Sequence, residues 1–264
     1  MMSDPDSPFA GIIGLGNLKG EFRNAGRGRW VGISFGVLCV LAAPALLLVA
    51  AWVGLDTYNN SGLNRVAENV ALPLVIALAA FVIGVSVLIN IWRNWRLAAA
   101  LYENGIAYQS RTGVQQANWS DVTAVWQQVT RHYTNGVYTG TTHRYTLQTN
   151  TSQKIVLDDR LGKKVEELGK AVQSAVSNSL YPRYLTAIQN GQRLDFGPLA
   201  MDNQKLYAGK KELRWDEIKA VKINKGLISI KKDKGWLSWA NVTVPQIPNF
   251  FIFYDLVGRF TKVE

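Results

Sequence analysis

Cysteine is almost missing from this chain. Cys39 is the single one among 264 residues, which excludes an internal disulfide framework and any site built on clustered thiolates. Histidine is nearly as scarce, with only His132 and His143. Two imidazoles need a third ligand to hold a metal, and the sequence offers no obvious one, so cross-strand or surface positions are expected and no metal. No Ser/His/Asp order, P-loop or H-E-x-x-H occurs. Neither a catalytic set nor a cofactor is therefore expected, and the chain reads as a non-enzyme. An enzyme would need His132, His143 and an acid to converge on one pocket.

Charge is missing from two stretches, 31–55 and 69–92. Each exceeds the ~20 residues that cross a bilayer core. The competing reading, two buried core helices, is disfavoured because uncharged runs of this length are rare in soluble domains. The first run begins too far in, and is too long, for a cleaved signal peptide. Spans of about 31–54 and 70–92 are expected, within a transmembrane hairpin of 30–96 whose loop is Asp56 to Glu68. Arg23, Arg27 and Arg29 precede the first span and Arg93 and Arg96 follow the second, whereas the loop carries only Arg65. The positive-inside rule then puts both termini in the cytoplasm, in a multi-pass protein of the plasma (inner) membrane. Trp30, Trp92 and Trp95 would mark the inner interface and Trp52 the outer one. Gly32 and Gly36 in span one, with Ala80 and Gly84 in span two, have the small-xxx-small spacing that lets the two helices, or two copies, approach closely.

Glycine is plentiful near the start. Gly14, Gly16 and Gly20 form a variant of the dinucleotide fingerprint, but that chemistry needs a βαβ unit around it. Here the chain runs straight into the first span, so residues 1–29 are expected to be a flexible cytoplasmic tail.

Beyond residue 96 the pattern changes to short strands. "NWSDV" at 118–122 and "RWDEI" at 214–218 are the same phrase, with Trp119, Val122, Ala124 and Val125 matching Trp215, Ile218, Ala220 and Val221 at an offset of 96. Upstream, 101–108 aligns with 200–207 at an offset of 99. Two units are therefore expected, 97–191 and 192–264, with Trp119, Val122, Trp215 and Ile218 as repeated core. Each phrase should be a turn entering a strand, with the indole N–H bonded to a nearby carbonyl and Asp121 or Asp216 holding the turn through backbone N–H groups. Val122, Ala124 and Trp126 predict a strand with one buried face, and Asn104-Gly105 and Asn135-Gly136 predict turns. Leu161, Val165, Leu168, Val172 and Val176 predict a helix, capped by Asp158 or Asp159 and ended or kinked at Pro182. Pro248 is placed to start a last helix, with Phe250, Phe253, Leu256, Val257 and Phe260 on its apolar side.

"YENGIAY", "NWSDV", "LDFGPLAM", "LRWDEI", "GLISI" and "IPNFFIFYDLV" together resemble pleckstrin-homology-like domains. More specifically, they resemble an uncharacterised, mainly bacterial family of membrane proteins carrying such domains. The resemblance covers roughly residues 97–260. It implies an α+β fold, in which the transmembrane hairpin is followed by two small β-sandwich or barrel domains, each closed by a C-terminal helix. It brings no assigned activity.

The last signal is positive charge. Residues 192–264 hold thirteen Lys and Arg against eight Asp and Glu, half of the chain's net +10. Lys210, Lys211, Arg214, Lys219, Lys222, Lys225, Lys231, Lys232 and Lys234 are the candidate anionic-surface residues. The phosphoinositide-binding pattern of the wider superfamily lies in the first hairpin, where the first unit has only Arg111 and the second has Lys210, Lys211 and Arg214. Generic contact with an anionic bilayer is therefore the expectation. Nucleic acid is not, because the aromatics do not interleave with the lysines. The expected role is a membrane-anchored adaptor or scaffold that binds lipid headgroups or a protein partner. The alternative is a homo-oligomeric membrane assembly protein.

Overall fold

The computed structural model describes residues 8, 9, 11–23 and 27–264, the side chain of Arg27 excepted. Residues 1–7, 10 and 24–26 of the expected tail lie outside the described residues. The chain forms two compact units, 24–97 and the combination of 1–23 with 98–264.

Strand β1 (Leu18–Arg23) precedes helices α1 (Arg27–Ser61) and α2 (Leu63–Asn94). Both helices are long and apolar enough to cross a membrane. The expected thirteen-residue loop is not there. Helix continues through it, and the chain reverses at Gly62 alone, whose φ of 78° is open to glycine. Asn60 donates to Asp56 one turn earlier, and Asn69 donates across the hairpin to the hydroxyl of Thr57. Local polar bonds thus keep this polar segment helical.

The small residues are consumed inside the chain. A Cβ on Gly84 would lie 2.8 Å from the carbonyl oxygen of Gly36, and one on Gly36 would lie 2.9 Å from Leu88. Ala43, Ala50 and Ala77 are buried, while Leu38, Leu41, Leu48, Leu72 and Leu78 point outward. The face that could have served the two helices or two copies therefore serves the two helices.

The other unit is a set of small antiparallel sheets. β1, β2 (Ala98–Tyr102), β3 (Gly105–Ser110) and β4 (Gly113–Asn118) form one meander in that order. β5 (Val122–Thr134), β6 (Val137–Thr149) and β7 (Lys154–Asp158) form a second, followed by α3 (Val165–Gln189). β8 (Leu194–Phe196), β9 (Leu199–Met201), β10 (Lys205–Ala208) and β11 (Lys211–Arg214) form a third. β12 (Ile218–Asn224), β13 (Leu227–Lys232) and β14 (Ser238–Thr243) form a fourth, followed by α4 (Phe250–Gly258).

β1 corrects the expected tail. Arg23 pairs with Ala98 and Phe22 with Ala99, so the strands on either side of the helical hairpin in sequence are neighbours in one sheet. The glycines before β1 make a docked turn. Gly14 and Gly16 have positive φ, Leu15 is buried, and its carbonyl accepts from Asn104 N at 2.9 Å. Gly105 permits this approach, since a Cβ there would lie 2.3 Å from Ala117 O and 2.7 Å from Leu15. Phe9 and Leu15 complete a cluster with Ala98, Ala100, Tyr102 and Ala107.

Other details differ from expectation. Asp158 accepts from Arg160 N and caps a single 3-10 turn, Asp159 accepts from His143 N, and α3 begins later, at Val165, with no side-chain cap. α3 also runs through Pro182 to Gln189. Of the predicted apolar positions, Val165, Leu168, Val172 and Val176 are buried on α3, whereas Leu161 is buried in the 3-10 turn before it. Gly169 lets the ring of Tyr145 against the helix, where a Cβ would meet it at 2.1 Å.

Candidate functional site

The two Trp phrases position the strands that carry the charge. Residues Trp119–Asp121 and Trp215–Glu217 each form one 3-10 turn. Trp119 Nε1 donates to Glu103 O and Trp215 Nε1 to Asp202 O, both at 3.0 Å. Asn150 N donates to Asp121 O and Asp233 N to Glu217 O. A β-bulge follows in each copy, at Thr123 and at Lys219. The acids act otherwise than expected. Arg214 N is held by the carboxylate of Glu217, Asp216 takes the Arg214 guanidinium, and Asp121 accepts only a long bond from the Asn118 side chain.

The bulge also shifts the strand's phase. Val122 and Val125 are buried, whereas Ala124 and Trp126 are only half-buried and Val129 is exposed. Alternation through Val122, Ala124 and Trp126 was the wrong period for β5.

Of the nine candidate basic residues, two are paired with acids: Arg214 with Asp216, and Lys222 with Glu264. Lys210, Lys211, Lys219, Lys225, Lys231, Lys232 and Lys234 form no ion pair among the described residues. Register divides these seven. Ile218 pairs with Lys232 and Ala220 with Lys231, so Lys219, extruded by the bulge, sits beside both. Lys234 follows in the β13–β14 loop. Lys225 lies in the turn at the other end of β13, six residues and about 20 Å of strand away. Lys210 and Lys211 stand at the β10–β11 turn. The rim of Lys219, Lys231, Lys232 and Lys234 is thus the densest group, with Asp233 as the acid among them. Beside it are two apolar side chains that the sequence reading passed over: Trp236, 89% exposed, and Leu237, 64% exposed. A Trp-Leu pair flanked by lysines in a run with imperfect alternation was the available signal.

A concavity of about 310 Å³ lies on β5 and β6, lined by Trp126, Gln127, Gln128, Arg144, Thr146, Gln148, Lys154 and Pro245. Arg144 and Lys154 form no ion pair among the described residues. The histidines are not brought together. His132 Nε2 is 2.9 Å from Thr142 Oγ1, while His143 lies between Asp159 and Glu166 at 3.6 and 3.7 Å. Among the described residues no group of three or more His, Cys, Asp or Glu could hold a metal.

Two sheet edges are covered by other segments of the chain. β5 is the outer strand of its sheet, and Asn249, just before α4, covers its open edge. Asn249 N donates to Val125 O, Oδ1 accepts from Val125 N, and Nδ2 donates to Thr123 O, each at 2.9 Å. The open edge of β12 is covered by residues 262–264. Val221 N donates to Lys262 O and Ile223 N to Glu264 O. Glu264 accepts from Lys222 and Lys262, which hold its carboxyl down to about 2.

These features define a mixed α+β protein in which two long apolar helices accompany several small antiparallel sheets. The chain belongs to a family of unknown function, DUF6585, whose match spans residues 2–263. No curated protein matches it.

Proposed function

We propose that this chain is a membrane-anchored, non-enzymatic binding module. Its paired β-rich units meet the anionic inner surface of the membrane, or a protein partner there, in an adaptor or scaffold role. The observation that carries the reading is the set of seven cations in the second unit without acidic partners among the described residues, six of them exposed and Lys231 half-buried. Each cation held near an anionic leaflet adds about 1 kcal/mol of attraction.

Membrane anchoring is supported by the inside-out pattern of the hairpin, with small residues inward and leucines outward. Trp30 and Trp52 are both exposed on α1, and 22 residues of helix separate them by about 33 Å, close to a bilayer core. Arginines at both ends of 24–97, against Arg65 alone at its middle, favour cytoplasmic termini.

The matched bonds of the two Trp phrases favour a tandem pair of pleckstrin-homology-like units, each followed by its helix. The accepting carbonyls, of Glu103 and Asp202, keep the upstream offset of 99, and the tryptophans keep 96. In this reading β1 is the first strand of the first unit, as β8 is of the second, and the hairpin is an insertion between β1 and β2. What the two copies share is packing, which favours a binding role over a duplicated active site.

Limited trypsin digestion of the full chain tests the reading. The protein would be reconstituted in vesicles of phosphatidylcholine alone or with phosphatidylglycerol. Cleavage after Lys231, Lys232 and Lys234 should slow in the anionic vesicles and recover at high salt. Equal cleavage rates in both would overturn the lipid-surface reading.

A further inference from the structure

We infer that the β13–β14 loop is a membrane-inserting tip, with Trp236 and Leu237 entering the headgroup and upper acyl region of an anionic bilayer. This rests on the lipid-surface reading above and names the contact that reading lacks.

Trp236 is the most exposed of the nine tryptophans, and the one exposed tryptophan outside the helical hairpin. Trp119 and Trp215 are buried, and each spends its indole N–H on a backbone carbonyl. The N–H of Trp236 has no partner among the described residues. An apolar ring with a free polar tip is the side chain that settles at a membrane interface. Leu237 beside it adds a purely apolar group, and Gly235, with φ of 137°, turns the chain just before the pair.

Charge selects the occupant. Lys219, Lys231, Lys232 and Lys234 surround the base of the loop, against two acids, Asp233 and Glu217, the carboxylate of Glu217 accepting from Arg214 N. Asp233 is also tied down through its backbone N–H to Glu217 O, which anchors the loop to the repeated turn. A neutral apolar partner would gain nothing from four ammonium groups. A surface of phosphates over hydrocarbon matches both the cations and the apolar tip. The corresponding loop of the first unit, Asn150 to Gln153, has neither lysine nor a large apolar residue, so insertion belongs to the second unit alone.

The test uses the full chain with Cys39→Ala, Leu237→Cys and an environment-sensitive fluorophore on the new thiol. The chain is reconstituted in neutral or phosphatidylglycerol-containing vesicles. In anionic vesicles the emission should shift to the blue and be quenched by a nitroxide on the upper acyl chain. Trp236→Ser should lower the quenched fraction roughly fivefold or more, and reversing Lys231, Lys232 and Lys234 to Glu should abolish it. A label that stays in water while trypsin protection of the lysines persists removes the insertion and leaves the surface reading standing. A label in water with no protection removes both, and a protein partner becomes the occupant to seek.

Discussion

Asn249 is the side chain on which the association of β5 with α4 turns. It is 7% exposed, sits at φ 52°, and meets three backbone groups of β5 as well as the hydroxyl of Tyr184. Asn249→Ala strands a buried N–H and a carbonyl, and should cost about 2–4 kcal/mol. Asn249→Gly keeps the left-handed backbone at ease but loses the same bonds, so it separates the two contributions. Melting of the detergent-solubilised protein reads both, and a Gly variant as stable as the parent would assign the whole effect to the backbone.

Glu264 gives a pH prediction. Its carboxyl is held down to about 2 by hydrogen bonds from Lys222 and Lys262. A depressed folded pKa stabilises above the ordinary carboxyl value, and that contribution fades as pH falls from there to about 2. Lys222→Ala should raise the Glu264 titration toward the ordinary value, followed by carbon NMR of the carboxyl. An unchanged midpoint would contradict the pairing. At this scale the sequence disclosed the Trp residues and their need for a carbonyl, because the phrase occurs twice. It could not disclose Asn249, whose partners on β5 are more than 120 residues away.

Among the elements, the helical hairpin offers the cleanest perturbation. Gly84→Val places a side chain against the backbone of Gly36 and the side chains of Cys39 and Val40, and overpacking of this kind costs about 1–3 kcal/mol. Gly28→Ala, where nothing lies within 4 Å of the added Cβ, should be neutral. Thermal unfolding in detergent compares them, and equal melting would show that the helices do not meet along this seam. The apolar helices, the α3 stripe and the Asn135-Gly136 turn were legible because period and turn chemistry are local. β1 was not, since six residues beside a glycine-rich turn become a strand only when β2 supplies the ladder. The β5 bulge was not legible either, because one extra residue inverts the faces without altering composition. A fragment cut at residue 97 would therefore lack its first strand, and experiments on the sheets need residues 18–23.

At the scale of the whole molecule, composition showed where the apolar helices and the excess cations lie, but not how register sorts the cations. The structure separates the rim of Lys219, Lys231, Lys232 and Lys234 from Lys225 at the far end of β13. A protein that grips an anionic membrane through this rim must engage one end of the strand and spare the other. Hydrogen exchange on the full chain in phosphatidylglycerol-containing vesicles, compared with phosphatidylcholine alone, reads this directly. The account predicts added protection across residues 231–237 and none at the Lys225-Gly226 turn. Identical exchange in the two lipids, or protection confined to the Lys225 end, would contradict it.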